Sequence, residues 1–131
     1  MDTPVSGTPR LLLRGEGLIV LGAATLAYHN LGGSWGLFAL LFLVPDISLV
    51  GYLAGPRAGA LAYNAVHTYL APALLGAFAY LGIVPNAWPL CLIWVAHLGL
   101  DRSLGLGLKF ASAFRDTHLG VVGRVAPTAN A

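Results

Sequence analysis

Five polar side chains stand inside otherwise apolar runs of this chain, and they are of the types that build metal and acid–base sites: Asp46, Asn64, His67, His97 and Asp101. Placing an ionisable side chain in hydrocarbon costs roughly 2.5–3.5 kcal/mol on insertion scales, so such residues are kept where they pair or line a site. Asn64 and His67 are three apart and His97 and Asp101 four apart, which puts each pair on one helix face. Asp46 follows Pro45, whose missing N–H leaves the carbonyl of Leu41 without its helical partner. Within lipid such a break persists only where protein or a wet cavity covers it. Imidazole and carboxylate from facing helices are the donors of divalent-metal and iron sites in helical bundles. The same groups without metal make a proton relay or a general acid–base pair.

The elements that must position these residues follow from composition. The chain is 57% hydrophobic and 9% charged, with a mean hydropathy of +0.77. A soluble domain carries roughly 25% charged residues, so lipid is the expected solvent. Roughly 20 apolar residues span a bilayer, and the sequence supplies four such runs, at about 11–28, 34–53, 57–82 and 88–108. Ser34 can cap the second and Pro56 can open the third. The first run is read as an uncleaved span, because Glu16 falls inside it and three more spans follow. All seven basic residues (Arg10, Arg14, Arg57, Arg102, Lys109, Arg115 and Arg124) then fall on one side. That charge asymmetry marks the cytoplasmic face. The expected fold is an all-α integral membrane four-helix bundle with N- and C-termini cytoplasmic. Residues 1–120 form its single domain and 121–131 a disordered tail.

At 1.5 Å per residue, Glu16 lies roughly 8 Å from the cytoplasmic end of its span and Asp46, Asn64 and Asp101 about 10 Å. His67 and His97 lie about 15–16 Å deep. Four helices of alternating direction thus deliver polar groups to one layer of the bilayer. Asp46, His67, His97 and Asp101 are the candidate metal ligands and catalytic groups, with Asn64 orienting them and Glu16 a further donor. Tyr63 is the tyrosine best placed to reach the pocket, and Arg102 can pair with Asp46 or Asp101. Phe110 and Phe114 share a face of a short surface helix, which would bring Asp116 and His118 over the pocket mouth as a lid or as extra ligands. The plainer alternative is that these polar groups are interhelical glue, worth roughly 0.6 kcal/mol per hydrogen bond. The scattered basic residues exclude a nucleic-acid partner. A lone Cys91 forms no internal disulfide.

The strings Pro45-Asp46-Ile47-Ser48, Tyr63-Asn64-Ala65-Val66-His67-Thr68-Tyr69 and His97-Leu98-Gly99-Leu100-Asp101-Arg102 resemble the domain-of-unknown-function family numbered 4260. So do Gly105-Leu106-Gly107-Leu108-Lys109 and Phe114-Arg115-Asp116-Thr117-His118-Leu119-Gly120, and the resemblance spans Leu11 to Gly120. It implies a small protein of the bacterial inner (cytoplasmic) membrane and carries no activity with it. More loosely, a proline–aspartate followed by a His-containing helix is similar to membrane-bound metal-dependent hydrolases, whose second aspartate and tandem histidines this chain lacks. The reading reached is a metal-dependent or His/Asp acid–base membrane enzyme, with a divalent metal or iron as cofactor. Its expected partners are membrane lipids, a lipid-like or apolar substrate, and further copies of itself in a homo-oligomer. The alternative is a non-enzymatic small transporter, a proton-relay subunit or a structural membrane partner.

Overall fold

The computed structural model describes residues 3–123. Helix α1 (Gly7–Asn30) is continuous over the first expected span. At the Asn30–Gly33 turn Tyr28 folds over Gly33, and its hydroxyl donates to the carbonyl of Ser34 at 2.6 Å. Ser34 caps α2 (Trp35–Phe42), its Oγ accepting the Leu37 N–H at 3.3 Å.

The second expected span then changes winding. After Phe42 the chain continues as a 3₁₀ segment, Val44–Ala54, with the Asp46 N–H donating three residues back, to the carbonyl of Leu43. In that register the carbonyl left unpaired by Pro45 is that of Phe42 and not, as the α-helical reading expects, that of Leu41. The third expected span is also broken. Helix α3 (Pro56–His67) opens on Pro56, α4 (Leu70–Tyr80) follows, and extended Thr68 separates them. Pro72 accounts for the break, because it removes the N–H that a continuous helix would donate to Thr68.

Helix α5 (Trp88–Leu104) is the central element, burying Cys91, Ile93, Ala96, His97, Leu98, Gly99, Asp101 and Arg102. It stops at Leu104, four residues short of the expected span, because Gly105 turns left-handed with φ 82°. Helix α1 lies along it with backbones almost touching. A Cβ on Gly17 would stand 2.7 Å from the Ser103 nitrogen, and one on Gly99 2.6 Å from the Leu21 nitrogen. Glycine at such crossings lets helices approach in the manner of membrane bundles. The 3₁₀ segment packs on α3, with Tyr52 seated over Gly59.

The surface helix expected at Phe110–Phe114 is absent among the described residues. In its place lies a hairpin of two short strands, β1 (Asp116–Thr117) and β2 (Gly120–Val121). The backbone after Gly105 is instead used in pairing, with a bridge from Lys109 to Thr117 and Phe110 N–H donating to the Asp116 carbonyl at 2.9 Å. Val121–Gly123, expected as the start of a disordered tail, belong to this hairpin region, and 124–131 lie outside the described residues. The Val5 N–H donates to the His118 carbonyl at 2.6 Å, and Arg14 Nε donates to the Ser103 carbonyl at 2.9 Å. The start of α1, the end of α5 and the hairpin therefore close one end of the molecule. Two helical stretches, Gly7–Asn30 and Trp35–Ala54, are long and apolar enough to cross a membrane. Leu40, Leu53, Leu61 and Leu70 are among many large apolar side chains left exposed.

Candidate metal centre

Each of the two helix breaks delivers one site residue. Asp46 is the third residue of the 3₁₀ segment, and His67 is the last residue of α3. His97 and Asp101 come from one face of the unbroken α5. The Nε2 atoms of His67 and His97 stand 3.2 Å apart. His67 Nε2 lies 3.3 Å from Asp46 Oδ1 and 3.6 Å from Asp101 Oδ2. His97 Nε2 lies 3.4 Å from each of those same oxygens. The four potential ligand atoms all fall within 4.8 Å of one another, so the group can hold a metal ion.

The far side of the His67 ring explains why its Nε2 faces inward. His67 Nδ1 donates to the Tyr63 carbonyl at 2.9 Å, which turns Nε2 toward the other three residues. His97 Nδ1 is buried with no hydrogen-bond partner, and its ring packs edge-on against Phe42. A ring N–H held by a backbone carbonyl, as in His67, is how metal-ligating histidines are oriented. The Tyr63 ring stacks on His67 at 3.7 Å between centroids, 8° from parallel, and its hydroxyl donates to Asp101 Oδ2 at 3.4 Å. His67, His97 and Asp101 are buried, whereas the Asp46 side chain is 39% exposed and forms the open side of the group.

The other expected site residues lie elsewhere. Glu16 is exposed on α1 and lines a separate small cavity with Tyr69, Arg102 and His118. Asp116 accepts from Ser112 Oγ at 2.8 Å, and His118 Nδ1 accepts the Leu108 N–H at 2.8 Å. The hairpin uses both in its own hydrogen bonding, which leaves neither free to reach the four-residue group. Burial, reinforced by the Arg102 guanidinium, pushes the His118 imidazole below its ordinary pKa of 6.5. Asn64 does not orient the ligands. Its amide clamps the backbone of Lys109, donating to the carbonyl at 2.8 Å and accepting the N–H at 2.7 Å.

Three supporting residues carried no signal in sequence that fixed their roles. Arg102 does not pair with a carboxylate within salt-bridge distance among the described residues. It donates to the His67 carbonyl at 2.7 Å and to the Leu106 carbonyl at 3.0 Å, so it satisfies the backbone opened by the α3–α4 break. Trp94 Nε1 does the same for the Val66 carbonyl at 2.8 Å. Lys109 is buried, its ammonium donating to the Phe114 carbonyl at 2.6 Å and lying 4.8 Å from the Tyr63 ring centre. Burial pushes that ammonium below its ordinary pKa, against the pull of Asp101 and Asp46.

Chemically, the arrangement offers two imidazoles and two carboxyl groups. A divalent cation among them would offset the carboxylate charge and take up the Nε2 atoms that face each other at 3.2 Å. The fold and site together define a helical protein with membrane-length apolar helices around a His/Asp group able to hold a metal ion. Residues 10–122 match the family described as Domain of unknown function (DUF4260), and the chain belongs to that family. No curated protein and no solved structure matches the chain.

Proposed function

We propose that this chain is a multi-pass membrane enzyme in which Asp46, His67, His97 and Asp101 hold one divalent transition-metal ion that acts on a lipid-like substrate. The observation supporting this reading is the spacing of the ligand atoms. Five separations between the inward nitrogens and oxygens run from 3.2 to 3.6 Å. Tetrahedral donors at zinc-like bond lengths of 2.0–2.2 Å stand about 3.3–3.6 Å apart. Imidazole donors favour zinc or ferrous iron over magnesium and calcium, which take oxygen ligands.

A bound ion of this kind supplies Lewis acidity toward a carbonyl or phosphoryl oxygen. The chain's own residues do the rest. His67 is fixed by its hydrogen bond to the Tyr63 carbonyl, His97 by burial on α5, and Asp101 is held by the Tyr63 hydroxyl. Asp46 stands at the exposed side, where a substrate oxygen would enter. The Tyr63 hydroxyl holds a proton beside Asp101. The membrane reading rests on four apolar runs with every basic residue on one side, both ends facing the cytoplasm. Packing of the α1 start against the α5 end and hairpin supports that arrangement.

Reconstitution in vesicles of bacterial polar lipid, followed by mass spectrometry of each lipid class, tests the activity. Metal-loaded protein is expected to convert one class, and Asp101→Asn to leave all classes unchanged. No conversion by metal-loaded wild type would overturn the enzyme reading. A second reading, a small metal carrier, is favoured by the two helix breaks at ligand positions, a device of transporters. Metal accumulation inside sealed vesicles without lipid conversion would select it.

A further inference from the structure

The 3₁₀ winding beside the four-residue group has a steric consequence. A 3₁₀ helix is narrower than an α-helix and eclipses side chains three apart. Val44 and Ile47 therefore stand in one row, leaving a trough between the 3₁₀ segment, α3 and α5. That trough is a cleft of about 410 Å³ lined by Leu41, Val44, Ile47, Val66, Leu90 and Ile93, with Trp94 as a wall. Its one polar side chain, Ser48, is spent on the Pro45 carbonyl at 2.7 Å, so no hydroxyl proton points into the cleft. Trp94 is held in place by its hydrogen bond to the Val66 carbonyl. The cleft is thus a fixed apolar wall, of a size within the roughly 300–1,000 Å³ range of ligand sites.

Position ties the cleft to the His/Asp group. Pro45 and Ile47, the residues on either side of Asp46, line it. So do Val66, next to His67, and Ile93, one α5 turn before His97. Asp46 is also the group's half-exposed member, and although its own side chain does not line the cleft, its chain neighbours on both sides do. Resting on the metal-enzyme reading above, we propose that this cleft seats a single acyl chain of the substrate, with the polar end of that molecule held at Asp46. Substrate would then enter sideways from the bilayer and not from water. The substrate class becomes an acyl-chain amphiphile with an oxygen-bearing head: a fatty acid, an acyl ester or a phospholipid. A water-soluble ester or phosphate would find no apolar anchor.

Trp94 is the reporter. With Trp35→Phe and Trp88→Phe in the full chain, detergent-purified protein keeps Trp94 as its indole. A dibrominated octadecanoic acid is titrated in, and metal content is measured on the same samples. The expected result is saturable quenching that unlabelled octadecanoic acid reverses. Ile47→Phe or Leu90→Phe, at cleft positions exposed enough to accept the larger ring, is expected to abolish saturation while metal content holds. Leu53→Phe, 90% exposed and away from the cleft, is expected to behave as wild type. Quenching that rises linearly and equally in all variants would mean surface lipid contact only and overturn the proposal. Saturable quenching in protein that holds no metal would keep the cleft and remove the metal centre, so the two readings fail separately.

Discussion

At the residue scale, the site depends on both imidazoles presenting Nε2 inward, and the sequence specified the residues without the means. The His97–Asp101 spacing and the proline before Asp46 were legible because helical periodicity and the loss of an N–H are local facts. That Phe42 and not Leu41 would carry the carbonyl unpaired by Pro45 was not legible, because a proline alone does not say whether the chain runs on in α or in 3₁₀ register. Glu16 looked equivalent to Asp46 by depth alone. Depth fixes a layer and not a direction, and Glu16 is exposed and lines a separate cavity with Tyr69, Arg102 and His118. Tyr63 tests orientation, because it touches Asp101 and His67 without being one of the four proposed ligands. Tyr63→Phe keeps the stack on His67 and loses the hydroxyl on Asp101. It is expected to weaken metal binding by about tenfold, the lower end for an outer partner of a ligand. Competition with a chromophoric chelator measures this, and unchanged affinity would show that Asp101 is positioned by burial alone.

At the element scale, the broken second and third spans are the main departure from an ideal bundle. Pro45 announced the first break. The second escapes a reading of 57–82 as one span, although Pro72 stands four residues after Thr68. What makes the α3–α4 break tolerable is the supply of donors from α5: Arg102 and Trp94 satisfy the carbonyls of His67 and Val66. The segment after α5 illustrates the opposite error. Phe110 and Phe114 have helical spacing, yet Gly105 ends the helix and the backbone that follows pairs with the hairpin and with Asn64. Asn64 therefore acts as a clamp. Asn64→Ala would leave the Lys109 N–H and carbonyl without partners, at a cost of about 1–3 kcal/mol for each buried group. A drop in unfolding temperature in detergent, with metal affinity little changed, is the expected outcome. Loss of metal with full stability would instead return Asn64 to the role the sequence suggested.

At the scale of the whole molecule, the start of α1 and the segment after α5 close one face, where the hairpin, Arg10, Arg14 and the end of α5 meet. His118 sits in that face as a neutral acceptor of the Leu108 N–H, beside the cavity formed by Glu16, Tyr69 and Arg102. Its folded pKa is depressed by burial and by Arg102, so the unfolded chain binds a proton that the folded chain refuses. The stability His118 confers is therefore complete above its ordinary 6.5 and declines as the pH falls below that value. His118→Asn, which keeps an acceptor without a titrating ring, is expected to flatten the fall in unfolding temperature between about pH 7 and 5. Equal slopes in the two proteins would contradict the assignment. Whether the four residues hold a metal is decided by elemental analysis of gently purified, chelator-free protein, wild type beside His97→Ala. Close to one zinc or iron per wild-type chain, lost in the variant, is the expected result. Wild-type protein without metal, or a variant that retains it, would overturn the metal centre and leave the four residues as hydrogen-bonded packing.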